Sequence, residues 1–178
     1  NTWWGQKWLE ALNTIDYSNR LPRGQRYARN GSVLSIKIRG NEITAKVAGT
    51  RPTPYSITLT IPPFTQNETK KIVSIISKNP YYMSQLGGRI LPPELHDELA
   101  EKKIILFPRT WKKMGMRCSC PDWAVPCKHL AAVVYIIANE IDKNPFLVFS
   151  MHNFNLVKEL NLSIGRNTDE DIITIDSL

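Results

Sequence analysis

The sequence predicts an α+β chain: an N-terminal helix, a three-stranded antiparallel meander, a helical middle, and a long apolar helix toward the C-terminal end. Three observations carry that prediction. Trp3, Trp4, Trp8, Leu9 and Leu12 recur at helical spacing. Two β-branched runs, Val33 to Ile38 and Glu42 to Val47, are separated by Arg39-Gly40-Asn41, and Tyr55 to Ile61 is a third alternating run. After Pro62-Pro63 the apolar positions return to helical period.

Taken in order, the first helix spans Thr2 to Asn13 with Thr2 as N-cap, and its tryptophans form a packing stripe rather than a base-stacking platform. The meander follows. Ile72, Val73, Ile75 and Ile76 then mark a helix over about Asn67 to Lys78, with a second, shorter one near Tyr81 to Leu86. Pro92-Pro93 precedes a helix from Glu94 to Glu101, whose acidic first turn suits the helix dipole. Ile104 to Phe107 reads as a short strand, and Asn155 to Asn161 as a last helix before an acidic end, Asp169-Glu170-Asp171. The chain divides into a basic α+β region over 1–90, a region over 91–150 holding every cysteine and the apolar helix, and an extension over 151–178 expected to be partly mobile.

Composition narrows the class. With 178 residues, 42% hydrophobic and 22% charged, the chain suits one globular core or two small lobes. Its longest apolar run, Leu130 to Ala138, is about half of the roughly 18 residues that a membrane span needs, so no membrane association is expected. Asn1-Thr2-Trp3-Trp4 has neither the basic start nor the apolar stretch of a secretory signal, and a cytoplasmic setting is expected.

The chemistry gathers in one place. The only cysteines, Cys118, Cys120 and Cys127, fall within ten positions, an odd number that cannot all pair as disulfides. Cys118-Ser119-Cys120 and Cys127-Lys128-His129 make two close ligand pairs six residues apart, directly before the helix that runs through Leu130, Val133, Val134, Ile137 and Ile141. Four soft or borderline ligands suit a single tetrahedral zinc, and a sphere complete with protein ligands leaves no position for water or substrate. The site therefore reads as structural, pinning the helix to the loop before it. Pro121 and Pro126 restrict that loop, and Lys112, Lys113, Arg117 and Lys128 lie close enough in sequence to favour thiolates. Asp122 could accept a main-chain hydrogen bond or orient His129 through its free ring nitrogen. A thiol nucleophile paired with a histidine base is disfavoured, because side chains two positions apart on a helix diverge.

With Pro121-Asp122-Trp123 and Pro126-Cys127-Lys128-His129, the pattern Cys118-x-Cys120-x6-Cys127-x-His129 closely resembles the SWIM zinc finger over about Met116 to Ala138. Trp3-Trp4, Tyr27-Ala28-Arg29-x-Gly31 and Gly49-x-Arg51-Pro52-x-Pro54-Tyr55 look like the N-terminal region of bacterial and archaeal SWIM zinc finger family proteins. The resemblance implies an interaction module with one structural zinc on Cys118, Cys120, Cys127 and His129, no catalytic residues, and cooperation with a Swi/Snf-type helicase-like ATPase. SWIM motifs also occur in Mutator-type transposases and other DNA-associated proteins. No Gly-x4-Gly-Lys-Ser/Thr loop is present, so any motor lies outside this sequence.

Charge supplies the other half of the functional reading. Between Arg20 and Arg51, eight cations (Arg20, Arg23, Arg26, Arg29, Lys37, Arg39, Lys46, Arg51) face the single acid Glu42. With Lys112, Lys113, Arg117 and Lys128 they form the candidate nucleic-acid surface, DNA before RNA, in a chain of net charge +7. The alternative is a protein adaptor, in which the zinc loop and Trp123 dock a partner and the charge serves solubility or steering.

Overall fold

The computed structural model describes residues 2–14, 20–122, 126–161 and 172–176. It shows helices packed on one face of an antiparallel sheet, so the α+β class holds. The helices are α1 (Trp3–Leu9), α2 (Arg20–Arg29), α3 (Gln66–Ser77), α4 (Pro80–Gly87), α5 (Pro93–Glu101), α6 (Lys128–Lys143), α7 (Phe146–Ser150) and α8 (Leu156–Glu159). The strands are β1 (Val33–Arg39), β2 (Glu42–Val47), β3 (Tyr55–Thr60), β4 (Gly115–Cys118) and β5 (Ile172–Asp176).

The expected meander is the centre of a wider sheet, in the order β4-β3-β2-β1-β5 with every neighbour antiparallel. Alternation decides its faces: Ile36, Ile38, Ile43, Ala45, Val47, Ile57 and Leu59 are buried while the residues between them meet solvent. Gly40, with φ +55, makes the turn between β1 and β2. A Cβ there would also stand 2.6 Å from the Asn153 Oδ1, so the turn packs against the residues that follow α7. β5 pairs with β1 over Ser35 to Arg39, which gives the C-terminal extension an edge strand that the sequence reading did not expect. The acidic stretch Asp169-Glu170-Asp171 lies outside the described residues.

On the inner face sits α6, buried almost all round from His129 to Ile141, as expected of the most apolar helix. The tryptophans of α1 anchor to it and its surroundings. Trp8 is 1% exposed and donates its indole N–H to the Val134 carbonyl at 2.9 Å; Trp4 donates to the Ile141 carbonyl at 2.7 Å and Trp3 to that of Leu91 at 3.0 Å. Apolar bodies buried with satisfied N–H groups are packing residues. Thr2 caps α1 by accepting from the Gly5 N–H at 3.1 Å and is itself held by the Asp142 carboxylate, to which its main-chain N–H donates at 2.9 Å. The helix ends sooner than its apolar spacing suggests, passing into a 3-10 turn over Glu10–Thr14.

Across α6 lies α2, a helix that the sequence reading did not mark. Gly24 permits it: a Cβ at that position would meet the Ala131 Cβ at 2.6 Å, so the two backbones approach more closely than any side chain allows. Thr65 and Glu68 close a capping box on α3, and Pro80 and Pro93 open α4 and α5.

Ile104 to Phe107 is irregular chain and not a strand, with Ile104, Leu106 and Phe107 buried and Ile105 exposed. Its polar groups are satisfied another way. Leu106 gives its carbonyl to His152 Nε2 at 2.7 Å, while His152 Nδ1 lies 2.7 Å from the Pro62 carbonyl and the ring stacks on Phe64 at 4.1 Å. Burial pushes the pKa of His152 down, against the pull of those two carbonyls.

Candidate metal centre and charged surfaces

Strand alternation and one helix start bring the cysteine cluster together. Cys118 pairs with Ile57, whose side chain is buried, so the strand turns the Cys118 sulfur inward beneath α6. Cys127 is the N-cap of α6 and His129 its second residue, both buried. Cys120 completes the set from the loop after β4, which Ser119 fastens to the sheet: its N–H donates to the Ser56 carbonyl at 3.0 Å, and its hydroxyl accepts from the Ser56 N–H at 2.9 Å.

The three sulfurs and a ring nitrogen of His129 lie within 4.8 Å of one another. His129 Nδ1 stands 3.8 Å from both the Cys118 and Cys127 sulfurs. A tetrahedral zinc, with bonds of about 2.3 Å to sulfur and about 2.05 Å to nitrogen, separates its ligand atoms by about 3.5–3.8 Å. The cluster fits one zinc ion, and Nδ1 is the nitrogen turned toward it.

Main-chain N–H groups pull each sulfur toward the thiolate. The N-terminus of α6 and the main-chain N–H of Leu130 act on Cys127, the N–H of Cys120 on Cys118, and that of Asp122 on Cys120. Before metal enters, the cluster shares its protons unequally. Hydrogen bonding with Cys118 is the main reason the Cys127 thiol falls to about 4, while the same bond pushes Cys118 up and burial raises Cys120. Zinc uptake then displaces the remaining protons, which makes binding weaker as pH falls.

Asp122 does not orient His129. The Nε2 atom is buried without a hydrogen-bond partner. Instead the ring is held between two tyrosines, Tyr55 at 4.5 Å and Tyr27 at 5.4 Å. Each tyrosine carries a cation on its ring: Arg51 lies 4.3 Å from the centroid of Tyr55, and Lys128 lies 5.1 Å from that of Tyr27. The sequence reading missed both rings. Tyr55 was legible in principle, since alternation puts it on the side of Ile57 and Leu59.

Residues 107–138 match the family model of the SWIM zinc finger. The ligand set Cys118, Cys120, Cys127 and His129 named from its spacing is thus the set that the fold assembles. The chain is also similar to the uncharacterized protein Rv2102 of Mycobacterium tuberculosis, at 38% identity over 149 residues. That match covers 84% of this chain and 54% of the relative, so the chain spans about half the relative's length. No solved structure matches the chain. Among the described residues no helix is long and apolar enough to cross a membrane.

The structure divides the candidate cations of the SWIM-bearing chain among separate surfaces. Arg23, Arg26 and Arg29 are exposed on α2, in the helical layer, while the Arg20 side chain lies outside the described residues. Lys37, Arg39, Lys46 and Arg117 occupy the opposite, open face of the sheet. Arg51 and Lys128 flank the zinc ligands, and Lys112 and Lys113 lie in the short 3-10 turn before β4. Among the described residues the ion pairs are Lys7–Glu10, His96–Asp97 and Glu140–Lys143, and none engages these cations.

Proposed function

We propose that the chain is a non-catalytic nucleic-acid-binding module, directed at DNA before RNA, whose zinc ion is structural. The observation that carries the reading is the set of exposed cations that, among the described residues, have no carboxylate partner, on a scaffold whose four metal ligands fit one zinc ion. Unpaired surface cations attract phosphates and gain affinity by releasing counterions. A four-ligand zinc leaves no position for substrate, so it supports rigidity and not turnover. The three free thiols suit a reducing, cytoplasmic compartment. A helicase-like ATPase is the partner that the SWIM resemblance suggests, and as a separate chain or as a further segment it would supply the motor. The adaptor reading relies on the zinc loop together with Trp123, and Trp123 lies outside the described residues.

Titration of duplex DNA, single-stranded DNA and RNA across a salt series tests the proposal. Duplex DNA is expected to bind at low salt with log affinity falling linearly in log salt, with a slope near −3.6 if about four phosphates are neutralised at about −0.9 each. Absence of binding to all three at about 50 mM salt, where electrostatic binding is strong, would leave the adaptor reading in its place.

A further inference from the structure

We infer that the nucleic-acid surface is the open face of the sheet, and that its ligand is the phosphate backbone of a duplex. This rests on the nucleic-acid reading above and specifies where and how that ligand is held. The register aligns Lys37 of β1 with Thr44 of β2, Thr58 of β3 and Arg117 of β4, and residues directly paired across antiparallel strands share a face. One row thus runs cation, hydroxyl, hydroxyl, cation across four strands. Arg39 stands two residues along β1 from Lys37, and Lys46 occupies the neighbouring row on β2, where its Nζ donates to the Ser56 hydroxyl at 2.6 Å.

Lys37, Arg39, Lys46 and Arg117 are exposed, and Glu42, opposite Arg39, is the acid among the described side chains of this face. Covering such a surface with apolar protein would strand charged groups at a cost of several kcal/mol each, so a polyanion complements it better. The face also lacks what a single strand needs. Sheets that bind single strands stack bases on exposed aromatic rings, whereas Tyr55, the aromatic residue of β1 to β4, is buried on the inner face against His129. With cations and hydroxyls but no rings, the surface meets phosphate and sugar rather than bases.

Spacing agrees with a duplex. The cations of β1 and of β4 are three strand intervals apart, about 14 Å at about 4.8 Å each, close to the roughly 12 Å width of a major groove. The two banks can therefore reach the phosphate walls on either side of one groove. The cations of α2 lack that arrangement: they stand on a convex helix, and Arg29 lines a cavity of about 220 Å³ together with Asp142.

The experiment compares the full chain with Lys37→Glu/Arg117→Glu and with Arg23→Glu/Arg26→Glu, each carrying verified zinc, on a duplex and on a single strand of equal length. The sheet-face variant should bind duplex at least about tenfold more weakly, with the salt slope shallower by about 1.8, whereas the α2 variant should change affinity less than about threefold. Lys37→Gln/Arg117→Gln should show the same direction with a smaller loss and guards against misfolding of the reversed-charge chain. Loss confined to the α2 variant, or tighter binding of the single strand than of the duplex, would overturn the placement while leaving nucleic-acid binding intact. A wild-type chain that binds neither probe would sink both readings together.

Discussion

Cys127→Ser is expected to abolish stoichiometric zinc binding and to produce the largest local loosening of any single substitution in this chain. Cys127 is 1% exposed, caps α6, and is the thiol most readily ionised in the cluster. Serine puts a poorly ionised hydroxyl in its place, and Cys118 and Cys120 then have less reason to release their protons. Structural zinc contributes about 10–16 kcal/mol of apparent binding free energy in isolated fingers, a sum comparable to the roughly 5–15 kcal/mol that holds whole domains together. Here the loss is regional. The core between α1, α6 and the central strands does not pass through the metal, whereas β4 and the first turn of α6 do. Metal analysis should show well under one zinc per chain, and amide exchange should accelerate at Met116 to Cys118 and at the start of α6. A variant that keeps one zinc and the wild-type melting temperature would show that Cys127 is not a ligand.

Trp8→Ala should have the second largest effect, through the core rather than through the metal. Removing a fully buried aromatic side chain costs about 3–5 kcal/mol, through lost transfer free energy and the cavity left behind. For a domain of this size that corresponds to a fall of about 6–20 °C in melting temperature, at about 2–4 °C per kcal/mol. Zinc content should stay at one per chain, because Trp8 bonds to Val134, well along α6 from the ligands at its start. Differential scanning calorimetry with parallel metal analysis checks both halves. If the tryptophan stripe served base stacking instead, the same substitution would leave the melt unchanged and weaken single-strand binding.

What could be read in the sequence was what is local in the chain. The zinc ligands fall within twelve positions and the meander within thirty, so spacing and alternation reported them directly. The elements missed are those whose reason for existing lies elsewhere. Helix α2 carries Pro22, Gly24 and four arginines, and its inward face holds few apolar residues, Leu21, Tyr27 and Ala28, so little marks it as a helix even though their spacing is helical. It is a helix because Gly24 lets it lie against Ala131, more than a hundred residues away. Strand β4 is four residues long, too short for alternation to show, and is defined by pairing with β3. Strand β5 joins β1 from the far end of the chain.

Ile104 to Phe107 failed in the other direction. Its apolar residues suit a strand, and Ile104, Leu106 and Phe107 are buried, but among the described residues no ladder partner reaches them, and His152 meets the Leu106 carbonyl instead. The cations show the same limit for function. Their number between Arg20 and Arg51 was plain, yet consecutive positions went to opposite layers, because a helix and a sheet sort neighbouring residues by different periods. The tyrosine cradle of His129 was likewise hidden, since it joins α2, β3 and α6.

X-ray absorption at the zinc edge, on protein purified without chelator, tests the centre of this account most directly. One zinc per chain with three sulfur neighbours at about 2.3 Å and one nitrogen at about 2.0–2.1 Å is the expected result. A zinc surrounded by oxygen and nitrogen alone, or protein that purifies without zinc and does not take it up, would contradict it.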